Sequence, residues 1–365
     1  MISLFQGLVL AFIFGVITNG TPVEKRHTKY IAHEFHDTEV RSIGKRAENV
    51  DFEDKEWRFV AHLKIGSAKQ DVQVLLDTAS IVLNVPQVNS TCPGGKICAP
   101  QDSFNPFEST SFKNSTIPSK SPFGEGKQYG FEVSDDLYFE DGKKIPQFDF
   151  NLLNESNYVN RGAFGIGYST NNNHSYVLAA KNAGLINNAG FSLFKNSDKN
   201  GSFLLGGVDK AKYDGDLLIF NDSKEAMYPK SIITANGTVI PFTYKVLHDS
   251  GTPTMALLDT VVQKFYKDVG ANDKGHIPCD KVLSGNKSLN FDFGPFTIPV
   301  YYKDIFNRSG STCISNIHAT KSPDRQYLGA VFLRNAYLAQ NFDTKRIGLA
   351  PVKYTDESDI ADFWF

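Results

Sequence analysis

Apolar residues in this chain fall mainly into short runs that are broken by glycine, proline, asparagine and aspartate. Runs of this kind, bounded by turn residues, are typical of short β-strands. The clearest examples lie at residues 59–66, 71–76, 202–207 and 347–350. Helical spacing of apolar residues is sparse, and its best example is 257–269. The pattern therefore predicts a mainly β protein with a helix in its second half.

Two apolar segments end in the same kind of sequence, an aspartate followed by hydroxyl and small residues. Asp-Thr-Ala-Ser at 77–80 follows Val-Leu-Leu, and Asp-Ser-Gly-Thr at 249–252 follows Val-Leu-His. One motif lies in each half of the chain, which suggests that two similar lobes bring Asp77 and Asp249 together. Two close carboxylates cannot both ionise easily, so they share one proton, and one group can act as a base while the other acts as an acid.

Each aspartate motif is followed by a second apolar segment that contains a glycine. Gly165 lies within 162–167, and Gly329 lies within 327–332, at a similar distance from the preceding aspartate. Glycine allows another backbone to pass close by, which an aspartate loop needs if it is to be held rigidly. The repeat predicts two lobes of similar construction.

The composition narrows the class of protein. A chain of 365 residues is long enough for two domains with a large buried core. The formal net charge of −2 gives no indication of a nucleic-acid partner or of binding to an anionic membrane. The 29 Phe and 15 Tyr favour the β-rich core that the strand pattern predicts.

The N-terminus has the features of a secretory leader. Residues 8–17 form an apolar run too short to span a bilayer comfortably, and we predict a signal peptide over 1–20. Lys-Arg pairs at 25–26 and 45–46 are either surface charges or processing sites. Because they lie between the leader and the first clear strand, we favour processing and predict a pro-segment over 21–46.

The rest of the chain predicts a freely secreted protein without a membrane anchor. No later run approaches transmembrane length, and the C-terminus lacks the long apolar tail of a lipid-anchor signal. Nine Asn-x-Ser/Thr sequons favour a glycosylated surface. The sequon asparagines are Asn89, Asn114, Asn154, Asn173, Asn200, Asn221, Asn236, Asn286 and Asn307.

The chain has four cysteines, Cys92, Cys98, Cys279 and Cys313. An even number in a secreted chain predicts disulfides, and three connectivities are possible. Pairing within each half, Cys92 with Cys98 and Cys279 with Cys313, requires no crossing between lobes. A metal site is not favoured, because no Cys-x-x-Cys or histidine cluster accompanies these residues.

Taken together, these motifs resemble those of the pepsin-type aspartic proteases, and in detail those of the secreted yeast enzymes called candidapepsins. Residues 123–126, Phe-Gly-Glu-Gly, are similar to the tip of the hairpin that closes over the substrate in this family. The resemblance covers nearly all of the region after the predicted pro-segment. Further similar segments lie at 83–86, 205–209, 211–215, 331–337 and 347–354.

The resemblance implies a mainly β, bilobal pepsin-like fold with a substrate cleft between an N-terminal lobe (47–225) and a C-terminal lobe (226–365). Asp77 and Asp249 would be the catalytic residues that share a proton and activate one water molecule for attack on a peptide carbonyl. The implied partners are peptide or protein substrates, which a monomer would bind as an added strand. No metal or organic cofactor is implied.

The same resemblance assigns supporting roles around the two aspartates. Ser80 and Thr252 would hydrogen-bond the outer carboxylate oxygens. Thr78 and Ser250 would cross-link the two loops beneath the pair. The substrate-binding residues would be Ala79, Gly251, Phe123 and Gly124.

Four positions near this site depart from the family pattern. Ala79 replaces a glycine, and if the position needs glycine's conformational freedom we expect strain of roughly 1–3 kcal/mol, a tilted Asp77 or a blocked substrate. Phe123 replaces a tyrosine and Asn84 replaces the tryptophan that bonds it, so both ends of one hydrogen bond are lost together. His248 replaces an apolar residue, and it either carries a charge that lowers the pKa of the aspartates or points to solvent.

Three functions are open on the sequence alone. We favour a secreted aspartic endopeptidase with an acid pH optimum, because both aspartates and all four flanking hydroxyl residues are present. The second is a catalytically impaired pseudoprotease that binds peptides or a protein partner in the same cleft. The third, suggested only by the sequons, is a structural cell-surface glycoprotein.

Overall fold

The computed structural model of the protein describes residues 30–40, 56–123, 126–139, 141–157, 160–171, 174–197, 200–221 and 226–365. The predicted signal peptide, most of the predicted pro-segment and the first residues of the predicted N-terminal lobe lie outside these ranges. Gly124 and the sequon residue Asn173 also lie outside them.

Strands dominate the described chain, as the run pattern predicts. The strands of the first part are β1 (Ile31–Val40), β2 (Glu56–Ile65), β3 (Gln70–Asp77), β4 (Leu83–Cys92), β5 (Lys96–Ile97), β6 (Pro118–Phe123), β7 (Gly126–Tyr138), β8 (Lys144–Ser156), β9 (Gly162–Gly165), β10 (Gly190–Lys195), β11 (Asn200–Leu205), β12 (Val208–Asp209) and β13 (Leu218–Phe220). The strands of the second part are β14 (Ala226–Met227), β15 (Ser231–Ile233), β16 (Val239–Pro241), β17 (Val246–His248), β18 (Met255–Leu258), β19 (His276–Pro278), β20 (Ser288–Asp292), β21 (Thr297–Tyr301), β22 (Phe306–Ser309), β23 (Thr312–Ser315), β24 (His318–Thr320), β25 (Tyr327–Leu328), β26 (Ala336–Asn341), β27 (Arg346–Pro351) and β28 (Ile360–Ala361).

The helices of the described residues are short. They are α1 (Tyr176–Asn182), α2 (Asp259–Val269), α3 (Cys279–Leu283), α4 (Tyr302–Ile305) and α5 (Ala330–Leu333). Helix α2 confirms the helix predicted at 257–269, but it begins two residues later, because the preceding residues belong to β18, which pairs with β24 and β25. Single 3-10 turns lie at Pro93–Gly95, Pro100–Asp102, Pro106–Glu108, Lys210–Lys212 and Pro323–Arg325.

One large sheet runs through both halves of the described chain. Its strands follow the order β13-β27-β26-β10-β11-β1-β2-β3-β9-β4-β8-β7-β6, and β5 pairs with β4. The smaller sheets are β12-β28, β14-β17-β25-β18-β24, β16-β15-β20-β21 and β19-β23-β22. This mainly β architecture confirms the predicted fold class.

Strand β1 belongs to the predicted pro-segment and is built into the large sheet. It pairs antiparallel with β11 on one side and with β2 on the other. Strand β2 pairs in turn with β3, which ends at Asp77. The described part of the predicted pro-segment therefore forms a strand of the large sheet. In the order of that sheet, β2 lies between it and β3, the strand that ends at Asp77.

Aromatic side chains fill the core of the first half. The ring of Tyr176 on α1 is buried, and its centroid lies 4.7 Å from that of Phe164 and 5.9 Å from that of Phe148. Both pairs meet edge to face, which is the favourable geometry for aromatic rings. The packing explains why the chain is so rich in Phe and Tyr.

The four cysteines form two disulfides, one in each half of the chain. Cys92 is bonded to Cys98, and Cys279 is bonded to Cys313. The connectivity that requires no crossing between lobes is therefore the one that forms.

The predicted repeat is present in the strand pairing. Strand β9 runs parallel to β3, and β25 runs parallel to β17. A side-chain carbon at Gly165 would lie 2.4 Å from the backbone nitrogen of Val82, and one at Gly329 would lie 1.9 Å from the carbonyl oxygen of Thr254. Val82 and Thr254 occupy the same position relative to their own aspartates. Both glycines are thus required by the same close approach in two related loops.

Candidate active site

Both aspartates lie at the carboxyl end of a strand. Asp77 is the last residue of β3, and Asp249 directly follows β17. The N–H of Ile166 donates to the carbonyl oxygen of Asp77 at 3.0 Å, and the N–H of Asp249 donates to that of Leu328 at 3.0 Å. In each half, the segment with the repeated glycine therefore fixes the backbone of the aspartate.

The residues that follow the two aspartates join the loops to each other. The N–H of Thr78 donates to Ser250 Oγ at 3.0 Å, and the N–H of Ser250 donates to Thr78 Oγ1 at 3.0 Å. The Thr78 hydroxyl donates to the carbonyl of His248 at 3.2 Å, and the Ser250 hydroxyl donates to that of Leu76 at 2.7 Å. All four bonds are buried. They connect strands from opposite halves of the chain and bring the two aspartates to one place.

The carboxyl groups of Asp77 and Asp249 lie close enough for each to affect the pKa of the other. The Ser80 hydroxyl donates to Asp77 Oδ2 at 2.5 Å, and the Ala79 N–H donates to Asp77 Oδ1 at 2.9 Å. The Thr252 hydroxyl donates to Asp249 Oδ2 at 2.7 Å. Each carboxyl therefore has its own donors and faces the other carboxyl.

Burial changes the protonation of this pair. Burial raises the pKa of Asp77, although the hydrogen bonds from Ser80 and Ala79 oppose the rise. Burial and then the charge of Asp77 raise the pKa of Asp249 to about 7, against the hydrogen bond from Thr252. Two facing carboxyls with raised pKa values favour a state in which one proton is held between them.

Gly251 lies directly against the carboxyl group of Asp77. A side-chain carbon at this position would lie 2.6 Å from Asp77 Cγ and 2.7 Å from Asp77 Oδ1. Both distances are far shorter than a nonbonded contact allows, so any larger residue here would push the carboxyl aside.

Ala79 occupies the equivalent position in the first loop, and its side chain is exposed. Its backbone is not in the left-handed conformation that favours glycine. The expectation of backbone strain at Ala79 is therefore wrong, because an ordinary L-residue conformation already satisfies the turn. The other expectation, that the methyl group restricts substrate, stays a prediction.

The predicted hairpin is formed by β6 and β7. Phe123 ends β6 and pairs with Gly126, the first residue of β7. Residues 124 and 125, which follow Phe123 in the sequence, lie outside the described residues, and they include Gly124, one of the predicted substrate-binding positions.

Asn84 is buried and hydrogen-bonded to two residues that sequence analysis missed. Asn151 Nδ2 donates to Asn84 Oδ1 at 2.8 Å, and the Ser121 hydroxyl donates to the same oxygen at 3.2 Å. Neither Ser121 nor Asn151 lies in a recognisable motif, and both are far from Asn84 in sequence. Their meeting follows from the strand pairing, in which β6 pairs with β7, β7 with β8, and β8 with β4.

His248 differs from both expectations drawn from the sequence. Its side chain is fully buried, and neither ring nitrogen has a hydrogen-bond partner among the described residues. Burial lowers the pKa of His248 to about 3. The ring is therefore neutral over most of the acid range, so it neither points to solvent nor places a charge next to Asp249.

Three further observations concern metals, membranes and glycans. Within the described ranges, no group of three or more His, Cys, Asp or Glu side chains could hold a metal ion. The same ranges contain no helix with the length and apolar character needed to cross a membrane. The sequon asparagines that lie in these ranges are all exposed.

Comparison with known proteins agrees with the arrangement of the two loops. A family model for eukaryotic aspartyl proteases matches residues 58–352, a range that includes both aspartate motifs. Candidapepsin-1 of Candida albicans is 29% identical over 98% of each chain, and candidapepsin of Candida tropicalis is 30% identical over 98% of this chain and 97% of its own. Secreted aspartic protease 1 of Candida albicans is 31% identical over 83% of each chain. The chain therefore belongs to the eukaryotic aspartyl protease family.

Proposed function

We propose that the protein is an aspartic endopeptidase in which Asp77 and Asp249 are the catalytic residues. The observation that supports this proposal most strongly is the meeting of the Asp77 and Asp249 carboxyl groups on two loops that hydrogen bonds hold together. Two carboxyls that share one proton supply a base and an acid at a single site. The family of the chain and the names of its relatives favour the same reaction.

In the proposed reaction, the ionised carboxyl removes a proton from a water molecule, whose oxygen attacks the carbonyl carbon of the scissile peptide bond. The protonated carboxyl donates to the carbonyl oxygen as negative charge develops there. The C–N bond then breaks while the nitrogen takes a proton from the pair. Ser80 and Thr252 orient the carboxyls, and Thr78 and Ser250 fix the spacing of the two loops.

The substrate of this reaction is an extended peptide that lies between the aspartates and the β6–β7 hairpin. Ala79, which is exposed, and Gly251, which is buried, lie next to the Asp77 carboxyl, one on each loop. Phe123 ends β6 in the hairpin, and Gly124 follows it in the sequence. An added strand would pair its backbone with the cleft and leave its side chains to determine the cleavage preference.

The proposed mechanism predicts activity at acid pH. Activity requires one proton on the pair, and the pKa of Asp249 is raised to about 7. We therefore expect cleavage to decline as the pH rises through about 7, and again when the pH falls far enough to protonate Asp77 as well. The measurement is the rate of peptide-bond cleavage in a denatured protein from about pH 3 to 7.

The decisive variant in this assay is Asp77→Asn, which keeps the size of the side chain but cannot share a proton. We expect it to abolish cleavage at every pH while leaving the fold and the disulfides intact. Cleavage that persists in this variant at the wild-type rate would show that the two aspartates do not carry the reaction.

A second candidate function is a pseudoprotease that binds peptides in the same cleft without cleaving them. The exposed methyl group of Ala79 favours it, since the backbone N–H of this residue donates to the Asp77 carboxyl. For this candidate, a statine-type peptide binds saturably, no substrate is cleaved, and Ala79→Gly restores cleavage. If wild-type and Ala79→Gly proteins cleave at the same rate, the methyl group has no part in either function.

We also propose that the chain is secreted as a glycosylated monomeric precursor. Residues 1–20 would be its signal peptide, 21–46 its pro-segment, and 47–225 and 226–365 its two lobes. The relatives named as secreted aspartic proteases and the exposed sequons support this proposal. N-terminal sequencing of the released protein should start at Ala47. Endoglycosidase treatment should lower its mass, and a start at Met1 with no mass change would contradict the proposal.

A further inference from the structure

A closed triangle of hydrogen bonds links the β6–β7 hairpin to the strands beneath it. Ser121 Oγ donates to Asn84 Oδ1 at 3.2 Å, and Asn151 Nδ2 donates to Asn84 Oδ1 at 2.8 Å and to Ser121 Oγ at 3.2 Å. Asn84 and Asn151 are 4% and 5% exposed, so their amides are shielded from water. Three uncharged groups therefore satisfy one another in a largely buried position.

Two corners of the triangle belong to rigid strands in the interior of the sheet. Asn84 lies in β4 and is paired in register with Asn151 in β8 and with Ala163 in β9. A side-chain carbon at Gly162 would lie 2.1 Å from the Asn84 carbonyl oxygen, which shows how closely β9 holds this residue. Strand β9 also pairs with β3, the strand that ends at Asp77. The amides of Asn84 and Asn151 are thus fixed relative to the carboxyl pair.

The third corner belongs to the hairpin. Ser121 lies in β6, two residues before Phe123, where β6 ends. The neighbouring residue Lys120 is exposed, whereas Ser121 is partly buried and faces inward. A single hydroxyl therefore connects the distal end of the hairpin to the fixed amides of two interior strands.

We propose that Asn84 and Asn151 form a bracket that holds the hairpin over the carboxyl pair through Ser121. These three are positioning residues, because the hydrogen bonds of the triangle join them to one another rather than to the carboxyls. This role rests on the proposed function, since it matters for catalysis only if substrate lies under the hairpin. The bracket carries no titratable group, so its effect does not depend on pH.

The test is Ser121→Ala in the full chain, compared with Ser119→Ala. Ser119 lies two residues earlier in β6, on the same face, and its buried hydroxyl has no partner among the described residues. Each lost hydrogen bond is worth a factor of about 2 to 12 in an equilibrium. We expect Ser121→Ala to speed amide hydrogen exchange in residues 118–123 and 126–131 about tenfold, and Ser119→Ala to leave it unchanged.

The kinetic signature is specific to a positioning role. If the hairpin must be reordered whenever substrate binds, Ser121→Ala should raise KM about tenfold with kcat nearly unchanged, equally at pH 4 and pH 6. Ser121→Thr keeps the hydroxyl and should restore both measurements. Asn151→Ala breaks the bracket from the other side and should reproduce the exchange pattern.

Hydrogen exchange tests the bracket independently of whether the protein cleaves peptides. Faster exchange in Ser121→Ala alone, in a protein that cleaves nothing, would support the bracket and refute the endopeptidase. Active enzyme in which Ser121→Ala and Ser119→Ala behave alike would refute the bracket and leave the endopeptidase standing. A change of kcat with constant KM would also overturn the bracket.

Discussion

The two aspartate loops are built alike in their hydrogen bonds, and two of their sequence differences change the chemistry beside the aspartate. In each loop a hydroxyl residue donates to the Oδ2 atom of the aspartate, Ser80 in the first and Thr252 in the second. Thr78 and Ser250 exchange equivalent bonds across the interface. Each carboxyl therefore receives an equivalent set of hydrogen bonds. These donors alone do not favour protonation of one aspartate over the other.

The differences lie directly before the aspartate and two residues after it. Leu76 in the first loop corresponds to His248 in the second, and Ala79 corresponds to Gly251. Leu76 and His248 are both fully buried, but only the histidine carries polar atoms into that position. The hydroxyl donors are therefore present in both loops, as either Thr or Ser, whereas the residue before the aspartate differs in polarity and the residue two positions after it differs in size.

We expect the largest effect on activity from Gly251→Ala, which gives the second loop the alanine that the first loop has at Ala79. In Gly251→Ala, the added carbon would meet Asp77 Cγ at 2.6 Å, so the carboxyl must move. A displacement of about 1 Å costs on the order of 100-fold in rate, and we expect at least this loss in kcat/KM. The reciprocal change, Ala79→Gly, removes an exposed methyl group and should not lower activity. Equal losses in the two variants would contradict the difference between the loops.

The next effect concerns the pH dependence of stability at His248. Its folded pKa of about 3 lies below the unfolded value of 6.5, so the unfolded chain binds the proton first and stability falls as the pH drops from 6.5 towards 3. At pH 4 the loss is about 3 kcal/mol. His248→Leu should remove this loss, and chemical denaturation at pH 7 and pH 4 measures it.

Leu76→His provides the matched control, because it places the same ring at the equivalent position of the other loop. We expect it to create an acid-dependent loss of stability of similar size. Asp249 acts in the opposite direction, since its pKa is raised to about 7 and its contribution to stability is lost as the pH rises from 3.8 through 7. A wild-type protein whose stability does not differ from that of His248→Leu at any pH would refute the assignment of a neutral buried ring.

The smallest effect is expected from single cross-links between the loops. Thr78→Val keeps the side-chain shape but leaves the buried N–H of Ser250 and the carbonyl of His248 without their partners. We expect a loss of about 2 kcal/mol in the free energy of unfolding. Ser250→Ala removes the equivalent pair of contacts and should cost a similar amount. If the two variants differ by more than about twofold in their loss of unfolding free energy, the two loops do not contribute equally to the hydrogen bonds between them.

The sequence predicted the elements whose signal is local. Alternation of apolar runs and turn residues located the strands, and the repeated glycines located the close approaches at Val82 and Thr254. The disulfides followed from a choice between three connectivities. Local patterns are sufficient in these cases because the residue types that determine each feature lie within or beside the segment itself.

The features that the sequence did not predict depend on contacts between distant strands. Nothing in the segment around His248 shows that its ring is buried with no hydrogen-bond partner in the described part of the chain. The bracket of Asn84, Ser121 and Asn151 arises only when β4, β6 and β8 are brought together. The inclusion of β1 in the large sheet was likewise unforeseen, because its two partners, β2 and β11, are far apart in the chain.

The most direct test of the account is to locate the protons on Asp77 and Asp249 by neutron diffraction of a crystal near pH 5. We predict a single deuteron on the pair, lying between the two carboxyl groups, with the Ser80 and Thr252 hydroxyls donating to the outer oxygens. Two ionised carboxylates, or two carboxyl groups that do not contact each other, would contradict the shared-proton mechanism.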